Sequence, residues 1–219
     1  MLRAVTELSL PAAGTSASLH GSGRTVVVLG HGAGGTRRTP MLVALAEELA
    51  VAGRAAFLYN FPYSEREKRR PDAKAVLEST SREAAERALE LTGAAHVVVG
   101  GRSMGGRIAS QVVADGGRAD GLVFLGYPLH PPGSPQILRD AHLPRIAAPM
   151  LFIQGTRDAF AREDLLLAVI ARLGEGAELH RVDAADHSFG VQKRSGRTPG
   201  EVFDEVRATL LGWLERQGL

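Results

Sequence analysis

Residues 97–106 read Val97-Val98-Val99-Gly100-Gly101-Arg102-Ser103-Met104-Gly105-Gly106. The valines predict a buried strand, and residues 107–114 have the pattern of a helix. Between them lies G-x-S-x-G, a sharp strand-to-helix turn with a serine at its apex. A side chain at Gly101 or Gly105 would collide with the neighbouring strand and helix, and the turn strains the backbone at Ser103. We therefore expect Ser103 to stand above the sheet, where the helix N-terminus directs free N–H groups towards it.

The rest of the chain alternates between strand-like and helix-like hydrophobic patterns. Predicted buried strands cover residues 25–29, 54–61, 97–99, 121–125, 149–153 and 178–182. Predicted helices cover residues 40–52, 72–91, 107–114, 162–173 and 199–216. Residues 5–10 and 15–19 are expected to add one or two antiparallel edge strands. This alternation predicts an α/β fold with a mostly parallel central sheet and helices on both faces.

The composition limits the classes of protein to which this chain can belong. Its 219 residues suffice for a single α/β domain over residues 1–219. The absence of cysteine excludes disulfides, thiolate catalysis and cysteine-ligated metal. The net charge of +2 is too small to argue for nucleic-acid binding. No apolar run approaches the ~18 residues that span a bilayer, and residues 1–7 lack the apolar region of a secretory signal, so we expect a soluble, cytoplasmic protein without a membrane partner.

In a parallel sheet, the loops after the carboxyl ends of the strands gather at one edge, and ligands bind there. Ser103 needs a base at that edge, because a serine hydroxyl is a poor nucleophile at neutral pH until an imidazole accepts its proton. The chain has seven histidines. His96 and His180 lie at or within strand starts, whereas His187 lies on a loop after the last predicted strand. His187 is therefore predicted to be the base.

The base in turn needs a carboxylate to orient it, and three aspartates are candidates. Asp158 follows the strand at 149–153 and gives the chain order serine, aspartate, histidine. Its alternative interpretation is a helix N-cap, which is weakened because Arg162, where the next helix is predicted to begin, is four residues further on. Asp186 ranks second, because adjacent side chains on an extended loop point apart, and Asp183 ranks third. Asp158 is predicted to hold the imidazole tautomer and to stabilise the imidazolium form.

Attack on a carbonyl group also needs hydrogen-bond donors for the developing oxyanion. The backbone N–H of Met104 is the first predicted donor. The glycine-rich turn at residues 31–35 is expected to supply the second from Ala33 or, less favourably, from Gly34. This turn has neither the G-x-G-x-x-G pattern nor the lysine of a phosphate-binding loop. His31 is assigned mainly a structural role beneath the turn.

Other residues at this edge of the sheet are predicted to contribute weakly to a substrate pocket. They are His31, Gly34, Phe61, Tyr127 and Leu129. A rigid surface loop is an equally good interpretation of residues 127–133. The basic cluster at residues 66–70 is interpreted first as a solvated loop, with a positive rim that attracts acidic substrates or an acidic partner as the alternative. Arg102 is expected to pair with a local carboxylate, and contact with an anionic substrate is its alternative.

The elbow at 101–105, the turn at 31–35, Asp158 and His187 together resemble the α/β-hydrolase superfamily over nearly the whole chain. More narrowly, Gly101-Arg102-Ser103-Met104-Gly105-Gly106-Arg107 with Gly126-Tyr127-Pro128-Leu129 looks like a small lidless group related to dienelactone hydrolases. That group includes a testis-expressed protein and a subunit of a chromatin-modifying complex. Dienelactone hydrolases proper use a cysteine nucleophile, which this chain lacks. Larger relatives insert a helical lid at residues 129–148, which are too short here for a large lid.

The residues and the resemblance together predict a serine hydrolase that cleaves a carboxylic ester or thioester by a Ser103-His187-Asp158 acyl-enzyme mechanism. No metal or organic cofactor is expected, and the partner would be a small-molecule substrate. One alternative is a non-catalytic protein-interaction module on the same scaffold. Another is a peptidase or acyltransferase that uses the same three residues. The sequence leaves the oligomeric state open between a monomer and a homodimer.

Overall fold

The computed structural model describes residues 5–219, so residues 1–4 of the predicted single domain lie outside this range. One eight-stranded sheet runs through the described chain. Its strands are β1 (Val5–Leu10), β2 (Thr15–His20), β3 (Thr25–Gly30), β4 (Ala55–Tyr59), β5 (His96–Arg102), β6 (Gly121–Leu125), β7 (Met150–Gly155) and β8 (Ala177–Val182). The helices are α1 (Pro40–Val51), α2 (Pro62–Glu65), α3 (Lys74–Thr92), α4 (Met104–Ala114), α5 (Glu163–Leu173) and α6 (Pro199–Arg216).

The strands lie in the spatial order β1-β2-β4-β3-β5-β6-β7-β8. The six strands from β4 to β8 pair in parallel. At one edge, β1 pairs antiparallel with β2, and β2 pairs antiparallel with β4. The mostly parallel sheet and its two antiparallel edge strands are therefore confirmed.

Helices cover both faces of the sheet. On one face, α3, α4 and α5 bury Leu77, Ile108 and Leu166 in a common core. On the other face, α1 and α6 bury Leu45 and Trp213. Because both faces are covered, the central strands are buried along their length, as expected of a parallel sheet. This confirms the predicted layering of helix, sheet and helix.

The boundaries differ from the sequence prediction at two places near the site. Helix α4 begins at Met104, directly after Ser103, rather than at Arg107. Strand β4 ends at Tyr59, and the short helix α2 follows, although we expected the strand to continue to residue 61. Pro62 is the first residue of α2, where its fixed φ and missing N–H suit a helix start.

The connection from β6 to β7 is short. No α-helix lies in residues 126–149, all of which the structure describes, and the helical structure there is limited to the 3₁₀ segment Leu143–Arg145. The expectation that a large lid is absent is therefore confirmed. Among the helices formed by residues 5–219, none combines the length and apolar character that crossing a bilayer requires.

Candidate active site

Ser103 occupies a strained turn between β5 and α4. Its φ of 50° and ψ of −114° are unusual for a residue with a side chain. A Cβ at Gly101, whose φ is +137°, would lie 2.1 Å from the carbonyl oxygen of Gly30. A Cβ at Gly105 would lie 2.2 Å from the same oxygen. Both glycines therefore allow the turn to approach the backbone of β3, which is the obstacle in both cases.

His187 and Asp158 lie beside this turn and form a continuous hydrogen-bonded chain with Ser103. Nε2 of His187 is 2.8 Å from Oγ of Ser103. Nδ1 of His187 is 2.7 Å from Oδ2 of Asp158. The side chain of Asp158 is fully buried, and that of His187 is 16% exposed. Water therefore reaches the imidazole but not the carboxylate behind it.

Asp158 is held by two further donors. The backbone N–H of Phe160 donates to Oδ1 at 2.7 Å. Nε2 of Gln154, at the end of β7, donates to Oδ2 at 2.5 Å. Oε1 of Gln154 accepts the N–H of Tyr127 at 2.8 Å, which fixes the amide in place. Sequence reasoning missed Gln154, although a polar residue at the end of an otherwise apolar strand was a usable signal.

The two competing aspartates are occupied elsewhere. Oδ1 of Asp186 accepts the N–H groups of Ser188 and Gly190 at 2.8 and 2.9 Å, so this carboxylate shapes the loop that carries His187. Oδ1 of Asp183 is 3.5 Å from Oγ1 of Thr156. Of the three candidate acids, Asp158 is the one that the structure brings to the imidazole.

The ring of His187 also packs against Phe160, with ring centroids 4.2 Å apart and an interplanar angle of 27°. Gly126 lies close to both His187 and Asp158. A Cβ at Gly126 would be 3.2 Å from the carbonyl oxygen of His187 and 3.7 Å from Oδ2 of Asp158. Sequence reasoning missed both contacts, because each joins loops that are far apart in the chain.

The predicted oxyanion donors lie around Ser103. Met104 is the first residue of α4, so its N–H has no acceptor within the helix. The turn at 31–35 lies directly opposite, since a Cβ at Gly32 would be 3.5 Å from Cβ of Ser103. The hydroxyl of Tyr63 donates to the carbonyl oxygen of Ala33 at 2.7 Å, which orients the turn. Both Ala33 and Met104 line the groove beside Ser103.

That groove has a volume of about 410 Å³ and opens to solvent. Its apolar wall includes Leu77, Ile108, Pro128 and Phe160. Its charged wall is formed by Asp72, Lys74, Arg107 and Arg139. The groove is therefore large enough to accommodate a small molecule beside Ser103.

A family model described as an alpha/beta hydrolase domain matches residues 23–215. The chain belongs to the α/β hydrolase family. The sequence resembled this family in the elbow at 101–105, the turn at 31–35, and the order and strand positions of Asp158 and His187. The structure agrees with it in the parallel sheet and in the position of the turn after β5.

Solved structures of other α/β hydrolases share this fold across nearly the whole chain. A serine hydrolase homologue from Coxiella burnetii is 17% identical, with a TM-score of 0.75 and coverage of 98% of both chains. A serine hydrolase without a lid from Xanthomonas campestris is 17% identical, with a TM-score of 0.74 and coverage of 98% of this chain and 94% of the other. A dienelactone hydrolase from Anabaena variabilis is 21% identical, with a TM-score of 0.71 and coverage of 98% and 97%.

In this α/β hydrolase, three residues that we expected in the pocket are buried in the core. Phe61, Tyr127 and Leu129 are at most 1% exposed, and none of them lines the groove. Tyr127 packs edge-on against Phe124, and its hydroxyl donates to the carbonyl oxygen of Arg139 at 2.7 Å. The prediction failed because a residue that follows a strand can turn inwards as readily as towards the ligand.

The other two expected pocket residues belong to the turn at 31–35. Gly34 does not line the groove. His31 is fully buried: its Nδ1 lies 2.7 Å from the carbonyl oxygen of Gly32, and its Nε2 accepts the N–H of Phe61 at 3.1 Å. Burial lowers the pKa of His31 to about 4, so the imidazole is neutral near pH 7. The structure thus gives His31 the structural position that the sequence favoured.

Arg102 contacts a hydroxyl rather than the carboxylate that we expected. Its Nη2 donates to Oγ of Ser188 at 2.7 Å, which ties the turn at Ser103 to the loop that carries His187. Burial lowers the pKa of the Arg102 guanidinium, and the charges of Asp158 and Asp186 act in the opposite direction. Neither carboxylate forms an ion pair with Arg102 within the part of the chain that the structure describes.

Proposed function

We propose that this protein is a serine hydrolase that cleaves a carboxylic ester or a thioester through an acyl-enzyme intermediate. The observation that carries the proposal is the hydrogen-bonded chain from Oγ of Ser103 through His187 to the buried carboxylate of Asp158, at 2.8 and 2.7 Å. A nucleophile, a base within hydrogen-bond reach and a group that orients the base are the parts that this chemistry needs.

The orientation of His187 follows from its two partners. Asp158 is an acceptor when ionised, so Nδ1 of His187 carries the proton in the arrangement that satisfies both groups. Nε2 is then left with a free lone pair that faces the Ser103 hydroxyl. In this tautomer the imidazole can accept the serine proton, and Asp158 stabilises the imidazolium ion that results.

The reaction proceeds in two half-reactions. Oγ of Ser103 attacks the carbonyl carbon while Nε2 of His187 takes the hydroxyl proton. The tetrahedral intermediate collapses, the bond to the alcohol or thiol breaks, and His187 gives its proton to that leaving group. Water then attacks the acyl-serine with His187 as the base, which releases the acid and restores Ser103.

The negative charge on the carbonyl oxygen of each tetrahedral intermediate would be held by the N–H groups of Met104 and Ala33. The first belongs to the N-terminus of α4, where the helix dipole also favours negative charge. Removal of one such donor typically costs about 3 kcal/mol of transition-state stabilisation.

The same site could serve a peptidase or an acyltransferase, and the fold could serve a binding module. The continuous hydrogen-bonded chain of Ser103, His187 and Asp158 favours an enzyme over a binding module. The open groove and the short connection at 126–149 favour small substrates that enter from solvent. We therefore place esters and thioesters before peptides.

The proposal is tested with Ser103→Ala and with Ser79→Ala, which removes an exposed hydroxyl on α3, as the matched control. Hydrolysis is measured on 4-nitrophenyl esters from acetate to octanoate and on the corresponding thioesters. We expect Ser103→Ala to lose at least about a thousandfold in kcat/KM, whereas the control keeps its rate. A fluorophosphonate should label folded wild-type protein at Ser103 and should not label heat-denatured protein. Equal rates for wild type and Ser103→Ala would overturn the proposal.

A further inference from the structure

The groove beside Ser103 contains two guanidinium groups, those of Arg107 and Arg139. Arg107 lies on α4, and its backbone N–H donates to the carbonyl oxygen of Ser103 at 3.1 Å. The hydrogen bond places Arg107 one turn of α4 after Ser103, and both residues line the groove. Arg139 reaches the groove from the connection between β6 and β7.

Neither guanidinium has a carboxylate partner among the described residues. Arg107 is 3.4 Å from Oε1 of Gln111, and its Nε is buried without a hydrogen bond. Arg139 is 3.5 Å from the carbonyl oxygen of Pro128. Nearby arginines outside the groove are paired instead: Arg145 binds Asp115 at 3.0 Å.

The two charges also act on each other. Burial lowers the pKa of Arg107, and Arg139 lowers it further, while Glu78 acts in the opposite direction without forming an ion pair with Arg107. An arginine nevertheless stays protonated under physiological conditions. Arg107 is therefore a partly desolvated cation beside a second cation, and an anion bound between the two guanidinium groups would relieve their repulsion.

The remaining charges of the groove do not supply that anion. Asp72 lines the groove, but its Oδ1 is 2.6 Å from Nη2 of Arg66, and its buried Oδ2 forms no hydrogen bond with Arg107 or Arg139. Lys74 lies 3.3 Å from Glu78. The groove therefore keeps the uncompensated charge of the two arginines.

The mouth of the groove is positive as well. Residues 66–70 carry four cations and one anion, Glu67, and all five are exposed. Arg66 is paired with Asp72, so three cations remain, and the segment leads directly into Pro71, which lines the groove. A cluster of like charge beside a cleft raises the local concentration of a ligand of opposite sign. The sequence left this cluster open between a solvated loop and a positive rim, and its position beside the groove favours the rim.

We propose that the substrate of this site carries a carboxylate in addition to its ester or thioester group, and that Arg107 and Arg139 bind this carboxylate. The inference rests on the proposed hydrolase function. A guanidinium presents its donors in a planar fork that matches the two oxygens of a carboxylate. Binding there would fix the reacting carbonyl beside Ser103 and would discriminate against neutral esters.

The test compares esters that differ only in charge. Monoethyl glutarate and its neutral amide, ethyl 5-amino-5-oxopentanoate, carry the carboxylate or the amide on the acyl side of the ester bond. The pair 4-acetoxybutanoate and 4-acetoxybutanamide carries that group on the alcohol side. One of the two pairs places the carboxylate where the arginines can bind it. For that pair, we expect the wild-type kcat/KM of the anionic ester to exceed that of the neutral ester by about tenfold to a hundredfold, as a charge-assisted hydrogen bond implies. This preference should fall as ionic strength rises.

Arg107→Gln and Arg139→Gln should each bring this ratio of anionic to neutral ester close to one. Arg145→Gln is the matched control, since it removes the same charge from an exposed position outside the groove, and it should leave the ratio unchanged. Thermal unfolding of each variant checks that the protein is folded. A wild-type ratio near one for both pairs, or a ratio that both groove variants retain, would overturn the inference.

A binding measurement separates this inference from the proposed reaction. In Ser103→Ala protein, NMR titration should give a dissociation constant for monoethyl glutarate or 4-acetoxybutanoate about tenfold or more below that of its amide. The difference should vanish when Arg107→Gln is added. The carboxylate site alone would be refuted if wild-type protein hydrolysed 4-nitrophenyl butyrate but Ser103→Ala protein bound the acid and the amide with equal affinity. Protein that shows the binding difference but hydrolyses no ester or thioester would refute the proposed reaction alone.

Discussion

Acidification should destabilise this protein through His31, a residue that is fully buried beneath the turn at 31–35. Its Nε2 accepts the N–H of Phe61 at 3.1 Å, and its Nδ1 lies 2.7 Å from the carbonyl oxygen of Gly32. A proton on Nε2 would remove the acceptor for Phe61 and would place a charge where water cannot solvate it. The folded protein therefore resists protonation of this histidine, but the unfolded chain does not.

The loss of stability on acidification follows from the difference between the pKa values of His31 in the unfolded and the folded protein. Burial lowers the pKa of His31 from 6.5 to about 4 in the folded protein. Between these values the unfolded chain binds more protons, so the free energy of unfolding falls as the pH falls and is constant above about pH 7. At 1.36 kcal/mol per pKa unit the full loss is on the order of 3 kcal/mol, of which about 2 kcal/mol falls between pH 7.0 and 4.5.

The measurement is urea unfolding of wild type and His31→Gln at intervals between pH 7.5 and 4.5. Glutamine can still accept a hydrogen bond, but it does not titrate. His20 and His142, whose pKa values burial also lowers, are present in both proteins, so their contributions cancel in the comparison. We expect wild type to lose about 2 kcal/mol more than His31→Gln. Parallel loss of stability in the two proteins would refute the reasoning.

Three further predictions concern the site. In steady-state ester hydrolysis, Asp158→Asn should lower kcat by about 10⁴-fold, whereas Asp186→Asn should lower it by less than tenfold. If Asp186→Asn caused the larger loss, Asp186 would be the acid that orients His187. Gln154→Met removes the hydrogen-bond donor that lies 2.5 Å from Oδ2 of Asp158, and it should lower kcat by about tenfold or more with little change in KM. A higher KM with unchanged kcat would contradict a positioning role for Gln154. Gly105→Ala places a Cβ 2.2 Å from the oxygen of Gly30 and should lower the melting temperature by more than 10 °C, so an unchanged temperature by calorimetry would show that the turn can relax.

The turn around Ser103 was predictable from sequence because its causes are local. A strand, a serine and two glycines within ten residues encode its geometry, and the alternating hydrophobic periods encode the layers around it. The chain order of Ser103, Asp158 and His187 added the expected partners. The helix start at Met104 was missed by three residues, since periodicity marks the middle of a helix better than its end.

Other features depend on contacts between distant parts of the chain. The hydrogen bond between Ser103 and His187 joins residues 84 positions apart, and the one from Tyr127 to Gln154 spans 27. Which side of a loop faces the groove depends on packing against elements elsewhere in the chain, so Tyr127 was expected in the pocket and lies in the core.

The sequence by itself determined the strand-to-helix turn, the parallel sheet and the set of candidate acids and bases, because backbone sterics and hydrophobic period act over a few residues. The tertiary structure decided that Asp158 and not Asp186 meets the imidazole, and that Arg107 and Arg139 share one groove without counterions. Those outcomes depend on how separate loops fold against each other at the sheet edge, and no local pattern encodes a distance between two loops.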